Sequence, residues 1–314
     1  MIDEPIYSVV APIFNEIGNL PEFYRRVKES LDQTGESWEL LLVDDGSTDG
    51  STEKIRELAA LDSRVKPVIF ARNFGHQLAV TAGLDYAAGQ AVTIIDSDLQ
   101  DPPEVILDMI SKWKEGFEVV YAVRSEREGE TWFKLLTASI FYRLIYRITD
   151  VDIPMDTGDF RLLDRKVVAV MRQMRERHRF LRGMSVWVGF KQTGVQYKRA
   201  ARFSGTTKYP FKKMLKFASD AITSFSYLPL QLATYIGFIA AGLSILAIPV
   251  VIVLRVIGSQ SFLGQASTLI AVLFLGGVQL ISLGILGEYI GRLYDEAKGR
   301  PLYIVREAPL KPKD

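Results

Sequence analysis

Cysteine is absent from the 314 residues, and histidine occurs only as His76 and His178. No disulfide or thiolate metal site can form, and two separated histidines do not make a histidine metal centre. The absence of cysteine also fits a domain kept in a reducing cytosol. The start, Met1-Ile2-Asp3-Glu4-Pro5, lacks the basic-then-apolar pattern of a secretory signal, so export of the front part by that route is not expected. No Gly-x-Gly-x-x-Gly follows the first strand-like run and no Gly-x-x-x-x-Gly-Lys-Ser/Thr occurs anywhere, which disfavours dinucleotide oxidoreductases and P-loop nucleotidases. Internal repeats and low-complexity linkers are also missing. The balance of 38 Lys+Arg against 37 Asp+Glu leaves a net charge of only +1, and no nucleic-acid partner is expected.

That balance conceals a sharp division. Two stretches near the C-terminus, 228–254 and 266–286, carry no charge at all. The first, roughly 27 residues, would extend about 40 Å as a helix, more than a hydrocarbon core of about 30 Å requires. The second, about 21 residues, carries Gly276, Gly277 and Gly284, with Gly287 just beyond, all suited to close helix contact. Buried helices of a soluble protein are the alternative, but two adjacent stretches of spanning length favour a transmembrane hairpin. Lys212, Lys213 and Lys216 precede the first stretch, and Arg292, Lys298 and Arg300 follow the second, whereas the connecting loop carries Arg255 alone. Positive charge favours the cytoplasmic side, so both termini and the front part are expected there, in an integral, multi-pass membrane protein.

The front part, about 227 residues, is ample for one large core. Runs rich in Val, Ile and Leu at 7–11, 38–43, 65–70, 91–95 and 119–123 read as strands. Helical patterns at 19–31, 52–61, 76–88 and 103–114 follow the first four. Asn19-Leu20-Pro21-Glu22 and Asp101-Pro102-Pro103-Glu104 look like capped helix starts. Apolar strands alternating with helices predict an α/β fold with a doubly wound, mostly parallel sheet covered on both faces. In such sheets ligands bind at the carboxyl ends of strands, which singles out 12–16, 44–49, 72–76, 96–100 and 124–127.

Asp96-Ser97-Asp98-Leu99-Gln100 leaves one such strand end directly. If the chain stays extended, alternation places Asp96, Asp98 and Gln100 on one side, offering only oxygen ligands. Such a set suits Mg²⁺ or Mn²⁺, which combines one or two carboxylates with substrate phosphates. A lone Asp-x-Asp is more often a solvated loop. Its strand-end position, matched by Asp44-Asp45-Gly46-Ser47 at another strand end, favours a functional role.

Val9-Val10-Ala11-Pro12-Ile13-Phe14-Asn15-Glu16, Val43-Asp44-Asp45-Gly46-Ser47-Thr48-Asp49 and Ile94-Ile95-Asp96-Ser97-Asp98-Leu99-Gln100-Asp101-Pro102-Pro103 resemble, in order, the signatures of GT-A, family 2 inverting glycosyltransferases. Asp156-Thr157-Gly158-Asp159-Phe160-Arg161-Leu162 and the tail Gly287-Glu288-Tyr289-Ile290-Gly291-Arg292 through Gly299-Arg300-Pro301-Leu302-Tyr303 narrow the resemblance. They are similar to the polyprenyl-phosphate branch: bactoprenol glucosyltransferases, aminoarabinose-transferring relatives and dolichol-phosphate mannose synthases. The similarity runs from about Val9 to Val305, with Phe14 where that branch more often has Tyr. The resemblance implies that Pro12, Phe14, Glu16 and Asp44 line the base and ribose pocket of a sugar nucleotide. It places Asp96 beside the donor, Asp98 and Gln100 with Asp96 around a Mg²⁺ or Mn²⁺ ion, and Asp159 at the reacting sugar as orienter or base. Arg124 and Arg127 would gather phosphates. For Asp44 the competing role is an Asx-type turn before Gly46, and for Asp159 a plain surface acid. By resemblance, UDP-glucose and undecaprenyl phosphate at a bacterial inner membrane are the expected donor, acceptor and place.

An acceptor region is visible in the residues themselves. From Lys191 to Ser219 there is no acidic residue, while Lys191, Lys198, Arg199, Arg202, Lys208, Lys212, Lys213 and Lys216 all occur. Phe211, Met214, Leu215, Ala218, Ile222 and Phe225 recur at helical spacing opposite Lys212, Lys216 and Ser219, as in a helix lying in a membrane interface. Residues 131–149 form a second candidate of this kind, with a core-packed helix as its alternative. Arg202, Ser204 and Lys208, in a Gly- and hydroxyl-rich stretch, are candidate ligands of the acceptor phosphate. The run Arg172, Arg175, Arg177, Arg179, Arg182 fits either anionic lipid or a solvated face.

The expected organisation is a glycosyltransferase domain over 1–209, an interfacial helix over 210–227, two spans within 228–290 and a cytoplasmic tail over 291–314, frayed at its end. The activity expected is metal-dependent, inverting transfer of one sugar to a polyprenyl phosphate, with GDP-mannose as an alternative donor. A processive synthase should carry Gln-x-x-Arg-Trp and further spans, and neither is visible. A translocator or scaffold would leave the acidic strand ends without a purpose. Monomer and homo-oligomer both remain open.

Overall fold

The structure is a computed structural model that describes residues 4–124, 157–198, 228–257 and 265–312. The chain divides into two compact units, Met1–Phe217 with Arg300–Asp314, and Ala218–Gly299.

In the first unit the strands are β1 (Tyr7–Ile13), β2 (Trp38–Asp44), β3 (Val65–Phe70), β4 (Ala91–Ile94), β5 (Val119–Arg124), β6 (Thr157–Asp164), β7 (Gln192–Tyr197) and β8 (Val305–Glu307). The helices are α1 (Leu20–Asp32), α2 (Ser51–Leu61), α3 (His76–Tyr86), α4 (Val105–Lys114), α5 (Arg165–Gln173) and α6 (Leu181–Trp187). One sheet carries all eight strands in the order β7-β5-β6-β4-β1-β2-β3-β8. β1 to β4 are mutually parallel and β7 runs parallel to β5, while β6 is antiparallel to both its neighbours and β8 to β3. Every residue of β1 and β2 is buried, as expected of strands covered on both faces. Leu40, Leu42, Val9 and Ala11 meet Phe23, Val27, Ile55 and Met109 in the core.

Two expected local features differ. Asn19 stands at the N-cap of α1 in helical conformation (φ −94°, ψ −27°), so its side-chain oxygen caps no backbone N–H, and its Nδ2 donates to Glu16; Pro21 does fall in the first turn. The chain after β4 does not stay extended. Leu99 takes φ +60° and Asp98 Oδ1 accepts from Gln100 N at 3.1 Å, so the backbone turns and simple alternation does not place Asp96, Asp98 and Gln100.

Register explains what gathers at one edge. Ile13 pairs Asp44 and Asp44 pairs Ile69, so β1, β2 and β3 end nearly level. β4 stops opposite Val10, and the chain beyond continues beside β1, with Ile95 N donating to Val10 O at 3.0 Å and Ser97 Oγ to Pro12 O at 3.3 Å. Because β6 is antiparallel, its first residues, not its last, reach that edge. Arg161 pairs Ile94, so Asp159, two residues before it, reaches the edge that Asp96 leaves, with His76 Nε2 within 3.6 Å of both carboxylates.

The second unit holds α7 (Leu228–Val256) and α8 (Gln265–Ala297), which touch one another. Both are long and apolar enough to cross a membrane, with apolar stretches at Leu230–Ala247 and Ala271–Ala297 that are not buried within the protein. At about 1.5 Å per residue they extend about 44 and about 50 Å. The connecting residues 258–264 lie outside the described residues.

Candidate active site

Three strand-end loops are tied together at this edge. Asn15, at φ +57°, accepts from Thr48 N through its side chain at 2.8 Å and donates its own N–H to Ser47 Oγ at 3.0 Å. Ile17 N donates to Asp49 Oδ2 at 3.1 Å. The buried Asp45 carboxylate accepts from Phe74 N at 2.6 Å and Gly75 N at 2.9 Å, fastening the loop after β3 to the end of β2. Gly46, at φ +73°, allows this approach, since a Cβ there would lie 2.7 Å from the Arg72 carbonyl carbon. The loop then delivers His76 to the first turn of α3.

At the centre lies an ionic cluster. Arg182 Nε donates to Asp159 Oδ1 at 2.7 Å, and Gln77 Nε2 to Asp159 Oδ2 at 3.1 Å. His76 Nε2 lies 3.3 Å from Asp159 Oδ2 and 3.6 Å from Asp96 Oδ1. The Asp159 side chain is 10% exposed, so it is not a surface acid, while Asp96 keeps 41% of its side chain open to the cleft. Burial would raise Asp159, but Arg182 and His76 outweigh it and hold this carboxyl well below its ordinary range. Desolvation pushes Asp96 up to about 6, opposed by His76 and reinforced by Asp159, Asp101 and Asp98. For His76 the desolvation acts downward, yet Asp96 and Asp159 carry it up to about 9. Near neutral pH the cluster therefore holds two carboxylates and two cations. Arg161 lies beneath it, fully enclosed, donating to Gly158 O at 2.9 Å and to Ser185 Oγ, and burial lowers its pKa to about 10.

Of the expected donor residues, Pro12 is buried in the wall and Phe14 offers its ring to solvent at 47% exposure. Glu16 accepts from Asn19 and donates its N–H to Ser51 Oγ at 3.0 Å. Asp44 is fully buried, its Oδ1 accepting from Ser47 N at 2.9 Å and its Oδ2 from Thr52 Oγ1, which is the Asx-type turn weighed against a donor role. Arg124 leaves β5 with Nε directed at Tyr197 Oη at 3.3 Å, and that hydroxyl donates to Asp101. Arg127, Arg202, Ser204 and Lys208 lie outside the described residues, as do the segments 131–149 and 210–227 expected to be interfacial.

Among the described residues no three His, Cys, Asp or Glu side chains converge as a self-sufficient metal site. The donor set nevertheless fits a Mg²⁺ or Mn²⁺ ion that takes its remaining ligands from a substrate. Asp96 and Asp98 are partly exposed and supply only oxygen, and Asp96, raised first by desolvation and further by Asp159, Asp101 and Asp98, stands where a cation would relieve that repulsion.

His76, Gln77 and Arg182 were not singled out by composition or spacing as partners of Asp159. The strand-end rule takes in His76 and the arginine run takes in Arg182, but neither signal points to Asp159. The arginine run is also resolved. Arg172 donates to the carbonyls of Leu84 and Ala87, Arg175 pairs with Asp85 at 2.8 Å, Arg177 donates to Arg300 O, Arg179 to Met174 O, and Arg182 to Asp159. Each of these arginines has a partner within the domain.

Residues 8–171 match the family model described as "Glycosyl transferase family 2". The chain is 55% identical to the uncharacterized glycosyltransferase YkcC of Bacillus subtilis over 96% of its length and 94% of that protein. It is 43% identical to the prophage bactoprenol glucosyl transferase homolog of Escherichia coli, covering 95% of this chain and 98% of that one. It is likewise 43% identical to the bactoprenol glucosyl transferase of Shigella phage SfII, covering 96% and 97%. With its family match spanning more than half the chain and its relatives nearly all of it, and with its strand-end acids gathered in one cleft, the chain belongs to glycosyl transferase family 2 and is a glycosyltransferase of GT-A fold.

Proposed function

We propose that the chain transfers one glucose from UDP-glucose to undecaprenyl phosphate, with inversion, at the cytoplasmic face of a membrane. The observation that carries this reading is the 43% identity to bactoprenol glucosyl transferases across both the catalytic unit and the two long apolar helices. The helices α7 and α8 suit a hairpin that holds the enzyme where a lipid phosphate is presented.

The chemistry asks mainly for positioning. A phosphate monoester has its second pKa near about 6, so at neutral pH it is largely dianionic and already nucleophilic. One of its oxygens forms a bond to the anomeric carbon as the bond from that carbon to the nucleoside diphosphate breaks, and the electron pair leaves with the diphosphate. No proton need be removed in that step, so Asp159 is better read as an orienter than as a base. Clamped by Arg182, Gln77 and His76, it has its lone pairs engaged and its shape fixed. Asp96 faces the cleft beside it, and Asp98 and Gln100 follow in the turn. A Mg²⁺ or Mn²⁺ ion held by Asp96, Asp98 and Gln100 would neutralise the diphosphate. Phe14 offers an apolar face for a base, and Arg124, at the end of β5, lies against Gly158 at the start of β6, where it would meet a phosphate. Arg127, Arg202, Ser204 and Lys208 would hold the lipid phosphate by charge-assisted contacts.

The test is incubation of detergent-solubilised protein with polyprenyl phosphate and, in parallel, UDP-glucose, other UDP-sugars or GDP-mannose, followed by extraction of the lipid. A lipid product with UDP-glucose alone is expected. Product with GDP-mannose alone would overturn the donor assignment, and a polymer or no product would overturn the reaction.

A further inference from the structure

The run Gly299-Arg300-Pro301-Leu302-Tyr303 has no part in the cleft, yet the residues that follow α8 do not trail away. Residues 300–307 return to the catalytic unit and lie along its far sheet edge. β8 pairs with β3, Val305 opposite Phe70 and Glu307 opposite Ile69. Ile304 O accepts from Ala71 N at 3.0 Å. The Tyr303 ring stacks on Phe70, centroids 5.2 Å apart and planes at 13°, and Phe70 meets Phe74 edge-on at 5.6 Å. Tyr303 Oη donates to Asp85 Oδ2 at 2.6 Å, the same oxygen that Arg175 reaches at 2.8 Å. Burial and the Asp85 carboxylate push the Tyr303 phenol upward, so it stays a proton donor. Arg177 donates to Arg300 O, and Arg56 grips Glu307 at 2.6 Å.

These contacts fall on two pieces of chain that matter to the cleft. The loop from Ala71 to Gly75 leads into His76 at the start of α3, and Asp85 lies near the other end of that helix. The segment holding Arg175 and Arg177 leads into Arg182. Both cations that fix Asp159 therefore arrive on segments held by the same short strap. On its other side the loop is held by Asp45. We propose that residues 300–307 are a positioning strap, with Tyr303 its anchor, that aligns His76 and Arg182 on Asp159 for sugar transfer. Because the strap follows α8 within three residues, this alignment is covalently continuous with the apolar helices. A displacement of about 1 Å at a reacting centre can cost about a hundredfold in rate, so a remote anchor can matter to turnover.

The proposal rests on the glycosyltransferase reaction above, but part of its test needs no substrate. In the full-length chain in detergent, Tyr303→Ala is expected to lower kcat by about ten- to a hundredfold, with the donor KM within about threefold of wild type. Tyr303→Phe keeps the ring stack, loses the hydroxyl, and should fall between. Hydrogen exchange on the same proteins without substrate should quicken at the amides of Ala71, Phe74, Gly75 and Leu181, while β1 and β2 are unchanged. In an Asp159→Asn background, Tyr303→Ala should cost less than about threefold more, because the strap acts through the two cations that hold the Asp159 carboxylate. Wild-type kcat in Tyr303→Ala would overturn the proposal. So would a lost kcat with unchanged exchange at 71–75 and 181, or losses that multiply fully in the double variant. If Tyr303→Ala does not fold, Tyr303→Phe decides by the same readings. If no sugar lipid forms with the wild type, the transfer reading fails separately, and the exchange result still tests the strap.

Discussion

Replacing Asp159 by asparagine takes one negative charge from between Arg182 and His76 while keeping the side chain's shape. In the native cleft this carboxylate accepts from Arg182 at 2.7 Å and Gln77 at 3.1 Å and faces His76 at 3.3 Å. A hydrogen bond to a charged group contributes about 1.5–3 kcal/mol net. The amide keeps one acceptor oxygen, so the loss is the charge assistance toward two cations, about 3 kcal/mol in all, after allowing that the contacts share one side chain. At about 1.36 kcal/mol per decade this corresponds to a fall in kcat of about a hundredfold. The assay is transfer of labelled sugar from the nucleotide donor to lipid phosphate in detergent, with kcat and KM determined separately and folding checked by thermal unfolding. Arg182→Ala should lose a similar factor, and the double variant little more, since both remove the same contact. A folded Asp159→Asn protein with kcat within about threefold of wild type would refute the clamp, because its charge would then be irrelevant to turnover.

Asp98→Asn should lower turnover by about a hundredfold or more in Mg²⁺ or Mn²⁺ with the fold intact, and near-normal activity would remove Asp98 from the metal site. Gly83→Ala would set a Cβ 2.1 Å from Val10 Cγ1, where α3 packs on β1, and overpacking of about 1–3 kcal/mol should lower Tm by several degrees; an unchanged Tm would contradict this contact. Asp62 is held below its ordinary pKa first by Arg64, with Arg64 N and Tyr24 Oη also donating to it. A depressed carboxylate stabilises the fold above its ordinary pKa and loses that contribution as pH falls through the folded value. Asp62→Asn should therefore cost about 1–3 kcal/mol at neutral pH, with the gap to wild type closing below about pH 4; a gap constant with pH would disprove the linkage. Reporters inserted at 258–264 should appear on the far side of the membrane and reporters at either terminus in the cytoplasm, and a cytoplasmic loop reporter would end the hairpin reading.

The elements that repeat a local pattern were legible in the residues. β1 to β4 and α1 to α4 appear within one or two residues of the expected segments, because apolar alternation, helical spacing and turn residues are properties of each segment itself. The acidic strand ends were legible for the same reason, since a carboxylate directly after an apolar run is placed by that run. The Asp98 turn was not, because it depends on Leu99 adopting a left-handed backbone, which its sequence does not announce. Nor was the arginine run, whose identical residues serve helix ends, an ion pair and the cleft in turn.

By itself, then, the sequence determined the alternating α/β front, the two long apolar helices, the oxygen-only acids and the family they belong to. Only the tertiary structure decided that β6 enters the sheet antiparallel beside β4, bringing Asp159 to the edge that Asp96 leaves, and that His76 and Arg182 close on it from α3 and α6. It alone decided that the residues after α8 come back to pair with β3. The physical reason is distance along the chain: a segment's periodicity is written in its own residues, whereas a strand's partner, direction and register follow from which surfaces remain to be covered once the whole core has packed.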